Sequence, residues 1–399
     1  MLKQNKIVDK PRLSAESLSK VLIYYEPTLL QSIMSFSSVR DLLNNNPEIL
    51  NAFCRTSGYS KQECLRILKS NSILIKAIQK GIENVVTFNT NQSDMTQLSV
   101  FNKLVYVSSD DQTLKVFDFN GTPVKKFIGH IGGIWTFDCS GNRVVTGSTD
   151  KTARIWDLDS EQTIVTLKYH RSTVRVLKIY GEYIITGSRD YTIAIWSVFG
   201  DLVYRLNGHR QSVRCLDVCD GYLASGSYDG YCKLWDYKRG KFIKDVHKHQ
   251  DKIYCVRIYN DYVASSGFDS EVKISKIDGS SYKSYKVHSS VVGWMDFSDN
   301  FLVSSSLDGT VAKYNYISET VDFVIRLGCP IKGQRLTDTL IIIATVFDVR
   351  IYSLRTGKFI RTLITADLIS KIEVVDWRII VGYQQGGEYK ISMFNYESL

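Results

Sequence analysis

The chain has little of what marks several common protein classes. Its 399 residues include five prolines and eight cysteines, and no two cysteines form a Cys-x-x-Cys pair. The cysteines therefore show neither a zinc-ligand spacing nor a disulfide framework, and they indicate a reducing compartment. No apolar run approaches the roughly 18 residues that a spanning helix needs, and no signal peptide is recognisable. We expect a protein of the nucleus, the cytoplasm or both, with no membrane partner.

Catalytic signatures are absent as well. The sequence contains no Gly-x-Ser-x-Gly, no His-Glu-x-x-His, no P-loop and no Gly-x-Gly-x-x-Gly. We therefore expect neither an enzyme nor a bound cofactor or metal ion. The 44% of hydrophobic and 12% of aromatic residues are enough to bury a large core without disulfides.

A repeat of about 40 residues determines the predicted architecture. A histidine followed twenty residues later by an aspartate occurs five times, in the pairs His130/Asp150, His170/Asp190, His209/Asp229, His249/Asp269 and His288/Asp308. The aspartates lie within strand–turn–strand patterns such as TGSTDKTARIWD (146–157). This period, with a histidine and an aspartate at fixed positions in each repeat, predicts the four-stranded blades of a WD40 β-propeller. We interpret the five histidines as scaffold, hydrogen-bonded to Ser/Thr, Asp and Trp partners, rather than as metal ligands or acid/base groups.

The aromatic residue that ends the third strand of each blade counts the blades. The eight positions are Phe117, Trp156, Trp196, Trp235, Ser275 in place of an aromatic residue, Tyr314, Tyr352 and Phe394. Residues 84–399 are therefore predicted to form an all-β propeller of eight blades, of which the last two have no repeat histidine. The strand-like stretch Val85–Phe88 is expected to pair with the final blade and close the ring.

Residues 1–83 lack the repeat and predict helices. We divide them into an N-terminal helical segment (1–25), a small helical domain (26–58) and a linker helix (59–83), which opens on the capping box Ser60-Lys-Gln-Glu63. An apolar face at helical spacing is formed by Leu29, Leu30, Ile33, Met34 and Phe36. Because so small a bundle exposes apolar surface, it either binds a partner or serves as a helical cap on the propeller.

Comparison of equivalent blade positions points to a binding site at one mouth of the central channel. Three positions were compared, namely five residues after the blade histidine, three residues after it, and directly before the blade aspartate. They predict nine residues around the mouth: Trp135, Arg175, Arg214, Tyr254, Thr173, Lys252, Thr149, Arg189 and Tyr228. Four cations without an acid among them indicate a bound anion, because adjacent cations repel one another. Planar guanidinium groups suit phosphate in particular. The alternative is a set of unrelated surface arginines.

The overall charge gives little support to a nucleic-acid partner. The net charge of +9 is divided between residues 1–83, with 12 Lys/Arg against 7 Asp/Glu, and residues 84–399, with 38 against 34. A nearly balanced propeller with one concentrated basic spot fits a point anion better than an extended phosphate backbone.

These residues resemble a known family. GHIGGIWTFDCSGNRVVTGSTDKT (129–152), STVRVLKIYGEYIITGSRD (172–190) and QSVRCLDVCDGYLASGSYDG (211–230) are similar to the F-box/WD-repeat substrate receptors of SCF ubiquitin ligases, of the cell-division-control type. The resemblance covers about residues 100–399. It implies that Arg175, Arg189 and Arg214 bind the phosphate of a phosphorylated Ser/Thr-Pro degron. It also implies that Trp135, Thr149, Thr173 and Tyr228 line the pocket for the residues next to the phosphate. Lys252 stands at a position of arginine in relatives, so it keeps the charge and loses the paired donors.

The N-terminal helices carry a second part of the resemblance. Residues 26–36 (EPTLLQSIMSF), followed by Arg40-Asp-Leu-Leu43, resemble the opening of an F-box. This implies a Skp-type adaptor, and through it a cullin/RING ligase, as partner. The implied adaptor contacts are Leu29, Leu30, Ile33, Met34, Phe36 and Leu42. We therefore expect a non-catalytic receptor that directs phosphorylated proteins to ubiquitination and proteasomal degradation. A WD40 scaffold outside a ligase is the alternative, and an RNA-processing or ribosome-biogenesis factor a more distant one.

Overall fold

A computed structural model describes residues 84–90, 93–298, 300–376 and 378–395. Asn84–Asn395 forms one compact unit that consists of strands and turns. The three helical segments predicted within residues 1–83 lie outside the described residues, and so do all the predicted adaptor contacts. Among the described residues, no helix is long and apolar enough to cross a bilayer.

The strands of this unit form eight antiparallel sheets of four strands each. In blades 1 to 7 the first strands are β2 (Met95–Phe101), β6 (Ile134–Ser140), β10 (Val174–Tyr180), β14 (Val213–Cys219), β18 (Ile253–Tyr259), β22 (Val292–Phe297) and β26 (Ile331–Leu336). The second strands are β3 (Leu104–Ser109), β7 (Arg143–Ser148), β11 (Tyr183–Ser188), β15 (Tyr222–Ser227), β19 (Tyr262–Gly267), β23 (Phe301–Ser306) and β27 (Leu340–Thr345).

The outer half of each blade is a third and a fourth strand. The third strands are β4 (Thr113–Phe117), β8 (Ala153–Asp157), β12 (Ile193–Ser197), β16 (Tyr231–Asp236), β20 (Val272–Lys276), β24 (Thr310–Asn315) and β28 (Asp348–Ser353). The fourth strands are β5 (Pro123–Ile128), β9 (Thr163–Leu167), β13 (Leu202–Leu206), β17 (Lys241–Lys248), β21 (Tyr282–Tyr285), β25 (Thr320–Arg326) and β29 (Phe359–Thr365). Blade 8 consists of β30 (Leu368–Val375), β31 (Arg378–Gln385), β32 (Glu388–Asn395) and β1 (Asn84–Asn89).

The first strands form a closed ring around the central channel. Each contacts the first strand of the next blade, and β30 contacts both β26 and β2. The predicted eight-bladed propeller is thereby confirmed. The predicted closing strand is confirmed too, because β1 pairs with β32 along its whole length, from Asn84 opposite Asn395 to Asn89 opposite Lys390. The Thr87 and Ser392 hydroxyls are 2.7 Å apart across this pair.

The core lies between the blades rather than within them. The second strands are buried almost throughout, as in β7, where only Arg143 is partly exposed, because each blade packs against a neighbour on both faces. Phe127 of blade 1 packs edge-on against Trp156 of blade 2, with ring centroids 5.7 Å apart. These contacts make every blade depend on the two beside it.

The predicted histidine network is present in blades 2, 3 and 4. In blade 2, Nδ1 of His130 is 2.6 Å from Asp150 Oδ2, and Nε2 is 2.8 Å from Thr146 Oγ1. The Trp156 indole donates to the same threonine oxygen at 2.8 Å. Although burial of the Asp150 carboxyl opposes ionisation, hydrogen bonds from His130 and Thr152 outweigh it and hold the pKa well below the usual range. The scaffold interpretation of these histidines therefore agrees with their contacts.

Blade 6 differs from the prediction. His288 does not bond Asp308 directly; its Nδ1 is 2.6 Å from the Thr310 hydroxyl, which itself donates to Asp308 at 2.6 Å. As in blades 2 to 5, the aspartate also accepts the backbone N–H of the residue after the histidine, which is Ser289 here. The threonine hydroxyl occupies the place between the two side chains and links them.

Blade 5 contains a substitution that the repeat did not reveal. Ser275 replaces the third-strand tryptophan, and His247, at the end of β17 in blade 4, reaches into the gap. Its Nδ1 is 2.7 Å from Ser265 Oγ, and its Nε2 is 3.0 Å from Ser275 Oγ. Ser265 occupies the position of Thr146, Thr186 and Ser225, whose hydroxyls accept the tryptophan indole in blades 2 to 4, and His247 contacts it in place of an indole. Burial, and then the nearby His249, lower its pKa to about 3, so the imidazole is neutral at pH 7.

We predict that His247 makes the stability of the propeller depend on pH. Its pKa of about 3 in the folded state lies below the ordinary 6.5, so below pH 6.5 the unfolded chain binds a proton that the folded chain excludes. The His247 contribution should therefore lower the free energy of unfolding by about 1.4 kcal/mol for each unit by which the pH falls below 6.5. His247→Gln, which keeps a donor and an acceptor but does not titrate, should reduce the slope by that amount. Urea unfolding between about pH 4.5 and 7.5 measures it.

Ser275→Ala is the matched control, because it removes one hydrogen bond of His247 and leaves the histidine in place. Its slope should stay near that of the wild type. If His247→Gln also keeps the wild-type slope, His247 is not the neutral buried group that the structure indicates.

Candidate ligand-binding site at one mouth of the propeller channel

The mouth is built on a bulge that recurs in the first strand of every blade. In each pairing of a first with a second strand, the register shifts across one residue at the same place. The residues at these shifts are Thr96, Trp135, Arg175, Arg214, Tyr254, Gly293, Lys332 and Ser370. A bulge leaves one residue outside the ladder and redirects its side chain. Eight such residues therefore surround one mouth of the channel.

The turns between second and third strands bring further side chains to this mouth. The Thr149 amide donates to the Gly133 carbonyl, that of Arg189 to Thr173 and that of Tyr228 to Ser212, each at 3.0 Å. The Phe268 amide donates to the Lys252 carbonyl at 2.8 Å. The position before each blade aspartate is thus hydrogen-bonded to the position three after the histidine. The structure accordingly places all nine predicted mouth residues at the same end of blades 2 to 5.

Aromatic rings hold the cations of the mouth. The Arg175 guanidinium carbon is 5.1 Å from the ring centroid of Trp135 and 5.8 Å from that of Tyr228. The Arg214 guanidinium is 5.7 Å from the Tyr254 ring, which in turn lies 5.6 Å from the Tyr228 ring. A cation over an aromatic face is stabilised without being neutralised. The rings therefore orient the guanidinium groups and leave their charge available.

Lys252 is held in the same way at the edge of the site. Its ammonium is 5.9 Å from the Tyr228 ring and 5.7 Å from the ring of Phe268. Phe268 is 49% exposed and lies in the turn of blade 5 at the position of Arg189 and Tyr228. It was not among the predicted site residues, although the comparison of repeats aligned it.

The mouth carries positive charge that the protein does not neutralise. Burial lowers the pKa of the Arg175 guanidinium, and the nearby Arg214 and Arg189 lower it further. The Nε atoms of Arg175 and Arg214 are buried and have no hydrogen-bond partner. Within the described part of the chain, no carboxylate pairs with either guanidinium. A partly buried cation without an ionic partner is more favourable when an anion binds it, so the arrangement is suited to an anionic ligand.

Two lysines on the opposite side of the ring were not among the predicted site residues. Lys332 is the bulge residue of β26, and Lys371 follows the bulge residue of β30. Burial, and then Arg214, Arg335 and Lys332, lower the pKa of Lys371 to about 8. Blades 7 and 8 have no repeat histidine from which to count. Counting back 21 residues from the third-strand aromatic gives the bulge residue in blades 2 to 4, and in blade 7 it falls within one residue of Lys332.

Deeper in the channel the charges are balanced. Nε and Nη2 of Arg335 donate to the two carboxylate oxygens of Glu373 at 3.0 and 3.1 Å. Arg257 is 3.7 Å from Asp296 on the neighbouring first strand. Among the described residues, no group of three or more His, Cys, Asp or Glu is arranged to hold a metal ion.

Comparison with known proteins identifies the repeats. The WD domain, G-beta repeat model matches residues 121–157, 161–197 and 200–236, which include the third strands of blades 2, 3 and 4. The chain therefore contains three WD repeats within residues 121–236. The matched repeats lie in the blades that contribute Trp135, Arg175, Arg189 and Arg214 to the mouth. The three arginines of the site are therefore carried by WD repeats.

Individual relatives match over short segments. The chain is 34% identical over 86 residues to WD repeat-containing protein pop1 of Schizosaccharomyces pombe, a match that covers 21% of this chain and 11% of that protein. It is 36% identical over 89 residues to Cell division control protein 4 of Saccharomyces cerevisiae, over 22% of this chain and 11% of that protein. It is 32% identical over 76 residues to Eukaryotic translation initiation factor 3 subunit I of Pyricularia oryzae, over 18% of this chain and 22% of that protein. The chain thus spans about a tenth to a fifth of the length of these relatives.

A solved structure supports the fold. The crystal structure of the computationally designed Ika8 protein superimposes with a TM-score of 0.72 at 23% identity, over 77% of this chain and 99% of that one. At this identity the likeness shows the propeller architecture alone. The solved structure and the matched repeats agree on a WD40 β-propeller.

We predict that the mouth arginines do not contribute to the stability of the free protein. Arg175→Met and Arg214→Met each remove a partly buried cation that lacks an ionic partner, so the free energy of unfolding should be unchanged or higher. Arg335→Met is the control, because it leaves Glu373 without its partner and should lower the free energy of unfolding by about 2 kcal/mol. Denaturant titration at neutral pH makes the comparison. Equal losses in the three variants would mean that the mouth arginines support the fold.

Proposed function

We propose that this protein is the non-catalytic substrate-recognition subunit of an SCF-type ubiquitin ligase. The mouth of its propeller would bind phosphorylated Ser/Thr-Pro segments and direct the proteins that carry them to ubiquitination and proteasomal degradation. Ubiquitin transfer belongs to other subunits of the ligase. The site of action would be the nucleus, the cytoplasm or both.

The observation that carries the proposal is the unpaired charge of Arg175 and Arg214 at the mouth. A phosphorylated side chain brings a charge of about −1.5 to −2 at pH 7, together with three acceptor oxygens, and so matches two or three guanidinium groups. The buried Nε atoms of both arginines have no partner in the protein. With Arg189 as the third cation, one phosphate group would offset the charge of about two of the three arginines and accept hydrogen bonds from the cluster.

Side chains around the arginines would contact the residues next to the phosphate. Trp135 is 40% exposed and offers an apolar face beside Arg175 on which a proline ring can pack. Thr149 and Thr173 are half-buried at the same end of blades 2 and 3 and supply hydroxyl groups for the peptide backbone. Tyr254 and Lys252 would extend the contact toward blade 5.

The ligase half of the proposal rests on sequence. The segments that resemble Cell division control protein 4 and pop1 come together with an N-terminal stretch, residues 26–36, that resembles the opening of an F-box. We propose that Leu29, Leu30, Ile33, Met34, Phe36 and Leu42 contact a Skp-type adaptor. The adaptor would in turn connect the propeller to a cullin/RING ligase.

A second candidate is a WD40 scaffold that binds phosphopeptides or other protein partners outside a ubiquitin ligase. The matches to Eukaryotic translation initiation factor 3 subunit I favour it, because they cover a share of this chain similar to that of the matches to pop1 and Cell division control protein 4. Co-purification separates the two candidates. Skp-type and cullin subunits are expected for a ligase receptor, and their absence with phosphopeptide binding intact would favour the scaffold.

We predict that the propeller binds a Thr-Pro peptide only when the threonine is phosphorylated. Arg175→Ala, Arg189→Ala and Arg214→Ala should each weaken binding by about 2–5 kcal/mol, the range for removing one partner of a close charge pair. The Arg→Lys variants should also bind more weakly, because an ammonium keeps the charge and loses the planar pair of donors. Titration calorimetry with matched phosphorylated and unphosphorylated peptides measures both effects.

Arg239→Ala is the control for the general effect of removing a positive charge. Arg239 lies between β16 and β17 at the opposite face, where its side chain is 76% exposed and pairs with Asp236. This variant should bind like the wild type. Equal affinity for the two forms of the peptide would rule out phosphate recognition at the mouth.

We predict that the apolar N-terminal face binds the adaptor. Leu30→Glu combined with Ile33→Glu would place two carboxylates in an apolar interface. Burying them would cost several kcal/mol, so the adaptor should no longer bind. The double variant should lose co-elution with a Skp-type adaptor in size-exclusion chromatography and keep its phosphopeptide affinity. Continued co-elution would show that residues 26–36 are not the adaptor-binding segment.

A further inference from the structure

The mouth carries charges of opposite sign on two of its arcs. Three positions per blade face it, namely the bulge residue, the residue two before the bulge and the residue before the blade aspartate. Over blades 1 to 6, the cations at these positions belong to blades 3 to 5, and the two carboxylates, Asp94 and Asp110, belong to blade 1. Blade 2, with Trp135 and Thr149, lies between the two arcs. A ligand that extends from the arginines past blade 2 therefore meets negative charge.

Asp110 lies in the turn between β3 and β4, at the mouth position that Thr149 has in blade 2. Its amide donates to the Asp94 carbonyl at 3.1 Å, as the Thr149 amide donates to that of Gly133. The side chain is directed toward blade 2, because a Cβ added to Gly133 would lie 2.0 Å from Oδ1 of Asp110 and 3.0 Å from its Cγ. The carboxylate therefore covers Gly133, two residues before Trp135.

The missing side chain at Gly133 makes room for this carboxylate. In blades 3 to 5 the equivalent position carries Thr173, Ser212 and Lys252. In blade 2 the Asp110 carboxylate of the preceding blade occupies the space that such a side chain would take, and Gly133 is buried beneath it. The glycine thus places a negative charge beside the blade that carries Trp135.

Asp110 is the carboxylate of blade 1 that is available to a ligand. The Asp94 carboxylate accepts the hydroxyl of Tyr389, and that of Asp111 accepts both the amide and the hydroxyl of Thr113. Asp110 is exposed, and over the ranges that the structure describes no basic side chain pairs with it. A cation of the ligand can therefore approach it without displacing a group of the protein.

We infer that Asp110 is a specificity-determining residue of the mouth, which favours ligands with a lysine or arginine shortly after the phosphorylated Ser/Thr-Pro pair. The inference rests on the proposed function, which places the phosphate on the arginines and the proline on Trp135. An extended peptide advances about 3.3 Å per residue. The residues that follow the proline then continue from blade 2 toward blade 1, where a basic side chain forms an ion pair with Asp110.

This preference is opposite to the one that the cations alone would produce. Lys252 and the three arginines repel a basic residue in the ligand, because like charges close together are unfavourable. A ligand that gains affinity from a lysine after the proline must therefore find a negative group nearby. Asp110 is the exposed carboxylate that the structure places on that side of Trp135.

The test uses phosphorylated Thr-Pro peptides with lysine at the first, second or third position after the proline, and matched peptides with glutamine there. Fluorescence anisotropy measures their affinities. The wild type is expected to bind one of the lysine peptides about two- to fivefold more tightly than its glutamine counterpart, the range for an exposed ion pair. Asp110→Asn keeps the size of the side chain and removes its charge, so it should lose this preference.

Two further variants sharpen the test. Asp159→Asn is the matched control, because Asp159 lies between β8 and β9 at the opposite face, where its side chain is 82% exposed. This variant should keep the lysine preference. Gly133→Ala retains the carboxylate but fills the space that it occupies, so it should lose the preference as Asp110→Asn does. A preference retained in Gly133→Ala would overturn the placement of the carboxylate on which the inference rests.

The inference and the proposed function fail in different ways. Phosphate-dependent binding with no gain from lysine at any of the three positions would overturn the inference and leave the proposed function intact. A lysine preference that persists in Asp110→Asn would have the same meaning. Equal affinity for phosphorylated and unphosphorylated peptides would refute the proposed function and the inference with it.

Discussion

The geometry of the mouth depends on the hydrogen bonds of the blade aspartates. In blade 2, Asp150 accepts from His130 and from the Ile131 amide at one end of the blade, and from the Thr152 amide within its own turn. One carboxylate thereby joins the loop that enters the first strand to the turn between the second and third strands. The side chains that face the ligand lie next to these anchored residues, as Thr149 lies beside Asp150. Binding residues can therefore vary between blades while their positions stay fixed.

The distribution of charge in the channel is a property of placement rather than of composition. Residues 84–399 carry 38 basic and 34 acidic side chains, so carboxylates are plentiful in the propeller. The first strands pair them with arginines in the deeper channel, as Glu373 with Arg335 and Asp296 with Arg257. At the mouth the arginines are stacked on aromatic rings instead. This arrangement orients a cation without neutralising its charge. The contrast between the two levels of one channel argues for a ligand more strongly than the number of arginines does.

The sequence was most informative where the repeat is complete. Blades 2 to 4 have the histidine, the aspartate and the tryptophan, so counting along the chain is enough to locate the bulge residues Arg175 and Arg214. Blades 7 and 8 lack the histidine, and Lys332 and Lys371 were missed there because strand register alone defines their positions. His247 was missed for another reason, since it belongs to one blade and completes the network of the next. Its role depends on packing between blades, which a repeat within the chain does not encode. The expected bond between His288 and Asp308 was wrong because a threonine hydroxyl lies between them.

The pairing of β1 with β32 has a consequence for how the propeller is made. Residues 84–89 leave the ribosome about 300 residues before residues 388–395, which they pair with in the closing sheet. Until residues 388–395 have been synthesised, β1 has no partner and blade 1 lacks its neighbour on one face, so the ring stays open and its edges remain unpaired. Such long-range pairing slows folding and leaves strand edges exposed to other chains. A truncation that removed only β32 would therefore also leave β1 unpaired. The closing sheet would then lose a strand from each end of the propeller sequence.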